Sequence, residues 1–170
     1  MYPKYLGVYL TRKYPDREGI AYAYQDGEAY YLYWDEQAMG APKPTPEEVE
    51  ADARAVIADY KREQIDTEFE QGATAALGFP MTIPTLDWWT ETYTKILAPE
   101  ASNPITEADT PLWYTANRWR AARNELLKIL NAAIACEGIT TEMILDFDVT
   151  QGARTMRFCG VDYVWNGWPA

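Results

Sequence analysis

A chain of 170 residues with 48% hydrophobic content suits one ordinary domain or two very small ones and can build a core. Its 26 acidic and 15 basic residues give a formal net charge of -11, which repels phosphate backbones, so nucleic acid is not an expected partner. There is no histidine, which removes Ser-His and Cys-His nucleophilic sites and every His-ligated metal site, and two cysteines fall short of the about four thiols of a Cys-only zinc site.

Met1 to Leu10 holds Lys4 among tyrosines, without the apolar run of a secretory leader, and no stretch reaches the roughly 18 apolar residues that span a bilayer. Cytoplasmic synthesis and no membrane partner are the expectation. In that compartment Cys136 and Cys159 are expected as free, buried thiols.

Helical spacing of Tyr5, Leu6, Tyr9, Leu10 and Lys13 predicts a short helix over Pro3 to Tyr14. Strands follow over Ile20 to Tyr24 and Glu28 to Trp34, joined through Asp26-Gly27, a favoured two-residue turn. Gly40-Ala41-Pro42-Lys43-Pro44 reads as stiff connector. Thr45-Pro46-Glu47-Glu48 then supplies a complete helix start, with Thr45 as cap, Pro46 in the first turn and Glu48 closing a capping box. Val49, Ala53, Val56, Ile57, Tyr60, Ile65 and Phe69 extend this helix to about Gln71, ahead of Gly72, a reach of roughly 40 Å.

Gly78-Phe79-Pro80 and Ile83-Pro84 mark a loop. A short helix is expected from Leu86 to Leu97 and polar loop from Glu100 to Asp109. Thr110-Pro111 opens a second long helix with the stripe Leu112, Ala116, Trp119, Leu126, Leu130 and Ala133, flanked by Leu127 and Ile134 and stopped at Gly138. Met143 to Val149 alternates loosely as a strand would, and Arg154 to Phe158 with Val161 to Trp165 predicts a second hairpin through Cys159-Gly160. The expected fold is α+β: a small N-terminal helix and hairpin module over residues 1–41, a connecting helix over 42–72, and a helical region over 73–170 closed by a C-terminal hairpin.

The chemistry-bearing patterns are few. Asp146 and Asp148, two apart on the expected strand, face one side as glycosidase carboxylates do, although a solvated strand face gives the same spacing. Asp146-x-Asp148-x-Thr150 begins like a calcium loop, but Gln151 stands where the turn glycine belongs and Arg157 where the bidentate glutamate belongs. Gly72 to Gly78 lacks the Gly-Lys-Ser/Thr ending of a phosphate cradle. No catalytic residue, cofactor, metal or small-molecule substrate is expected.

Aromatic residues, with 13 Tyr, 7 Trp and 4 Phe, suit both small cores and protein interfaces. Tyr22 and Tyr24 share a strand face, as do Tyr31 and Tyr33, and one face of the hairpin has to pack while the other is free to stay open. Trp88 and Trp89 point about 100° apart, so one of them is expected to be exposed or at a subunit contact. Tyr163, Trp165 and Trp168 near the terminus are either docking residues or a strap over the domain's own surface. Arg118, Arg120 and Arg123 beside Trp119 either meet acids of a neighbouring subunit or form a solvated helix face.

The run Tyr14-Pro15, the hairpin ending Tyr30-Tyr31-Leu32-Tyr33-Trp34-Asp35-Glu36, then Gly40 and Pro42-Lys43-Pro44-Thr45 leading into Pro46-Glu47-Glu48 resembles the XkdW-like proteins of phages and defective prophages. The resemblance covers residues 5–55, and the chain continues well beyond it. It implies a place in the phage tail, at the baseplate or fibre attachment, with other tail proteins as partners in an oligomeric particle and with no catalytic residues. The expected function is therefore a non-enzymatic virion structural protein that binds and positions other tail components. A tail-fibre assembly chaperone absent from the finished particle and a polysaccharide-binding module are the alternatives. A third is a head-to-tail joining protein, to which Gly152-Ala153-Arg154-Thr155 is similar.

Overall fold

Capping chemistry and turn glycines place most of the elements in the computed structural model, which describes residues 1–88, 91 and 111–170. Helix α1 (Leu6–Lys13) is followed by strands β1 (Ala21–Asp26) and β2 (Ala29–Trp34), a single helical turn α2 (Glu36–Met39), and the long helix α3 (Pro46–Leu77). Residues 83–88 are helical. Helix α4 (Pro111–Ala135), the short α5 (Thr141–Leu145) and strands β3 (Arg154–Phe158) and β4 (Val161–Trp165) complete the chain. The mixed helix and sheet architecture, with a long helix and two antiparallel hairpins of which the second closes the chain, agrees with the α+β expectation.

Contacts divide the chain into two units, one of Met1–Arg62 with Ala133–Phe147 and one of Glu63–Ala132 with Asp148–Ala170. Both are discontinuous, which the linear segments 1–41, 42–72 and 73–170 have no means to express.

In the first unit, the α3 start forms as its sequence requires: the Glu48 amide donates to Thr45 Oγ1 at 3.2 Å and the Thr45 amide donates to Glu48 Oε2 at 2.8 Å. Asp35 caps α2 by accepting from the Ala38 amide at 3.0 Å, and Gly40, at φ 66°, ends it. This turn is absent from the sequence reading because its four residues carry no periodic apolar stripe. The hairpin turn sits one residue later than expected, on Gly27-Glu28, because Gly27 at φ 60° takes the first central position of a two-residue loop. Tyr2 bridges to Tyr30, its amide donating to the Tyr30 carbonyl at 2.9 Å, so the N-terminus partly covers the β2 edge.

The C-terminal end of α4 departs from expectation. Gly138 does not adopt the left-handed conformation that would terminate the helix. Instead the Arg54 guanidinium, from α3, donates to the carbonyls of Ile134 at 2.7 Å, Cys136 at 3.1 Å and Ile139 at 2.5 Å. One fork-shaped cation thus bonds a last-turn carbonyl, that of Ile134, together with two carbonyls of the segment that follows, of which Cys136 also accepts from the Ile139 amide. Cys136 and Cys159 are both disulfide-bonded, which corrects the expectation of free thiols. That expectation rested on compartment alone, and sequence spacing carries no geometric signal for cysteine pairing.

In the second unit, α3 runs straight through Gly72 to Leu77 and stops at Gly78, at φ 79°. The glycine at 72 serves packing instead of termination: a Cβ there would lie 2.2 Å from Trp119 Cζ3 and 2.3 Å from Cη2. Phe69, Ala73, Leu77, Met81, Leu86, Ala116 and Trp119 form a buried cluster, with Trp168 packed against it. Leu112, assigned to the α4 stripe by spacing, is exposed in the helix's first turn. The region Met143 to Val149 is not a strand: α5 occupies its first part, capped by Thr140, and irregular chain its remainder.

Two measurements test this packing. Gly72→Ala gains helix propensity of about 1 kcal/mol but forces the Trp119 ring to move, a cost of about 1–3 kcal/mol that we expect to dominate. A urea midpoint below wild type is the expected result; an equal or higher midpoint contradicts the close approach.

The second concerns α1 on α3. Lys13 Nζ and Tyr9 Oη both donate to Asp52 Oδ2, the latter at 2.9 Å. The Lys13 bond, then the Tyr9 bond, hold the Asp52 carboxyl below its ordinary range, while burial, followed by the Asp52 bond, pushes the Tyr9 phenol up to about 12. Because the folded carboxyl titrates lower than the unfolded one at about 3.9, its contribution is present above that pH and is lost as pH falls through the folded value. Asp52→Asn is therefore expected to lower the urea midpoint at about pH 6 and to match wild type at about pH 2. An unchanged difference at the two pH values contradicts the network.

Candidate docking surface

Strand alternation and the hairpin register bring the aromatic residues of the first unit to one place. Tyr22 lies opposite Tyr33, and Tyr24 opposite Tyr31. The intervening residues point the other way: Ala21 and Leu32 are buried, Ala23, Tyr30 and Trp34 are half-buried, and β1 packs on α1. Trp34 is fixed there by a T-shaped contact with Tyr14 at 5.4 Å and by its indole N–H donating to the Ala41 carbonyl at 2.9 Å.

With that face committed to the core, the four tyrosines form an open surface. Tyr22, Tyr24, Tyr31 and Tyr33 are 46%, 48%, 40% and 43% exposed. The cross-strand pairs stack, Tyr22 on Tyr33 at 4.8 Å and Tyr24 on Tyr31 at 5.4 Å, each with planes 20° apart, and Tyr22 meets Tyr24 at 6.4 Å. Such pairs stabilise a hairpin that would be marginal alone. Exposed carboxylates Asp26 and Glu28 stand at the turn end of this surface, with Asp16 and Glu18 in the segment leading into β1.

The residues singled out from sequence as interface candidates are placed elsewhere. Trp88 is 62% exposed, at the last of the helical residues 83–88. Trp89 lies outside the described residues, as does most of the helix expected over Leu86 to Leu97. Trp165 is only 1% exposed and Trp168 is half-buried, so these two take the strap alternative instead of presenting free anchors. Trp168 stacks on Trp119 at 5.7 Å, meets Trp165 edge-on at 5.5 Å, and donates its indole N–H to the Val149 carbonyl at 3.0 Å. Trp165 donates to the Gln151 carbonyl at 3.3 Å. Tyr163 is half-buried against Phe158, with ring centroids 5.9 Å apart. Arg118 is exposed and Arg120 half-buried, while Arg123 donates to Asp66 of its own chain at 2.7 Å.

The carboxylates weighed for hydrolysis are separately engaged. Asp146 ends α5 and accepts from Lys4 Nζ at 2.6 Å. Asp148 accepts from the Thr150 hydroxyl and amide, each at 2.8 Å, and from the Gln151 amide at 3.1 Å; the Thr150 side chain, before the backbone bonds, holds its carboxyl low, which opposes service as a general acid. With no strand beneath them, the shared-face argument for the pair is lost. Among the described residues, no group of three or more His, Cys, Asp or Glu is placed to hold a metal ion, and no helix is long and apolar enough to cross a membrane.

Sequence reasoning had the elements of the tyrosine surface without its orientation. Alternation gave each strand an aromatic row, and only the cross-strand register joins the rows. Tyr22→Ala removes one stacked partner and is expected to lower stability by about 0.5–1 kcal/mol, whereas Tyr22→Phe keeps the ring and stays within a few tenths. Denaturant unfolding of both variants checks this; equal losses would mean that the hydroxyl, not the stack, carries the contribution. Comparison of the chain with family models, with curated proteins and with solved structures finds no match.

Proposed function

We propose that this chain is a non-enzymatic structural protein of a bacteriophage tail, which binds and positions other tail proteins at the baseplate or at fibre attachment through the tyrosine face of its N-terminal hairpin. The observation that carries the reading is the open quartet Tyr22, Tyr24, Tyr31 and Tyr33, 40–48% exposed on the outer face of a hairpin whose inner face is packed. Contiguous exposed aromatics mark interaction sites, and Tyr is enriched where partners meet because it combines apolar area with a polar handle. The quartet falls within the segment that resembles the XkdW-like proteins, so the open surface and the tail assignment concern the same residues.

Quantitative mass spectrometry of purified particles of the encoding phage, scaled against a tail protein of known copy number, tests this. Several copies per particle are expected. Absence from particles together with abundance in infected-cell lysate would overturn the structural role in favour of an assembly chaperone, and localisation at the portal would favour head-to-tail joining.

A further inference from the structure

We propose that the tyrosine face takes an extended, arginine-bearing segment of another protein, held by stacking of guanidinium groups on the tyrosines and by the carboxylates at the rim. The inference rests on the reading of this face as a protein-docking surface and adds the chemistry of its occupant.

Charge is the first argument. From Pro15 to Glu36 the chain carries Asp16, Glu18, Asp26, Glu28, Asp35 and Glu36 against the single base Arg17. All of these but Asp35 are exposed. An aromatic surface in a negative field attracts cations through both the ring quadrupole and the carboxylates, and arginine combines a planar stacking group with donors for carboxylate oxygens.

Four of the unit's six other tyrosines supply the second. Arg12 lies over the Tyr60 ring at 5.7 Å, Lys13 over Tyr9 at 5.5 Å and over Tyr14 at 6.0 Å, and Lys43 over Tyr2 at 5.7 Å. Among the described residues none of the chain's own cations is seated on Tyr22, Tyr24, Tyr31 or Tyr33, although these rings are the open ones. Among the described residues the face thus lacks the cationic partner that four of the unit's six other tyrosines have, Tyr5 and Tyr30 being the two without one.

Area decides between an extended segment and a globular surface. Four half-exposed tyrosines present on the order of 300–400 Å², well below the roughly 800 Å² per partner of a stable globular interface. A second copy meeting this face with its own would also set acids against acids, which disfavours self-association. An extended segment needs only the quartet and its rim.

The test uses the full chain and a fluorescein-labelled peptide of alternating arginine and glycine, with the same peptide carrying citrulline for arginine as a neutral isostere, read by fluorescence anisotropy. Saturable binding is expected, with the citrulline peptide at least about tenfold weaker, as loss of several charge-assisted contacts requires. Tyr22→Thr with Tyr33→Thr, which retains strand propensity, should weaken the arginine peptide by about tenfold, and the matching phenylalanine changes by less than about threefold. No binding, or citrulline binding equal to arginine, overturns the proposal. So does a threonine variant that is folded by circular dichroism and binds like wild type, because the acidic chain would then attract the peptide without the tyrosines. Should the threonine variant unfold, the single changes Tyr22→Thr and Tyr24→Thr are read in its place, and folded single variants that bind the arginine peptide like wild type overturn the proposal. A chain present in particles that fails the peptide test loses this inference and keeps its tail role; a chain that binds the peptide but is missing from particles does the reverse.

Discussion

The positive φ of Gly27 fixes which side of the N-terminal hairpin faces the protein. A two-residue loop with glycine first matches the twist of the strands and sets Asp26 opposite Ala29, and every later pair follows from that one. Side chains alternate with a period of two, so a slip of one residue would carry Leu32 and Ala21 outward and the tyrosines inward. Bulky tyrosines would then have to fit beside α1, where Ala23 lies close to Gly7. The small residues on the inner face and the large ones on the outer face thus enforce the same register from opposite sides. The tyrosine surface is a consequence of that register and not a separate design.

Two long-range contacts do for the helices what Gly27 does for the hairpin. Arg54 holds the carbonyls at the end of α4 in the first unit, and the close approach of Gly72 to Trp119 brings α3 and α4 together in the second. Trp119 then offers a ring on which Trp168 lies flat, and Trp168 in turn meets Trp165. The C-terminal tryptophans are therefore consumed in closing the second unit. On the hairpin, by contrast, Tyr22, Tyr24, Tyr31 and Tyr33 remain 40–48% exposed.

Much of this was legible in the sequence, for reasons tied to particular residues. Thr45 and Glu48 announced the start of α3 because a capping box is a local motif, and Cys159-Gly160 announced the closing hairpin because both residues adopt positive φ, at 49° and 77°. What failed was non-local. Gly72 looked like a stop because its space requirement comes from Trp119, a residue distant in sequence. Gly138 looked like a stop because the true cap is Arg54, 80 residues before Ile134. The cysteines looked free because nothing in their spacing encodes proximity. In the candidate surface, the strand rows were readable but the decision between packed and open aromatics depended on which face α1 covers.

The same stacking that makes the tyrosine face available also limits what it can be for. Exposed aromatic area forfeits burial of about 25 cal/mol per Å², and the cross-strand stacks recover only part of it, about 0.5–1 kcal/mol per pair. Four threonines would satisfy the strands at less aggregation risk, since β-branched residues also favour the pleat and a polar edge discourages unwanted pairing. The stacks account for the rings lying flat against each other, but they do not account for leaving 40–48% of each side chain in water. Asp26 and Glu28 at the turn end set negative charge beside the open rings. On the proposed reading of this face, a cationic segment gains from both the rings and these carboxylates, while a neutral apolar one must desolvate the carboxylates without compensation.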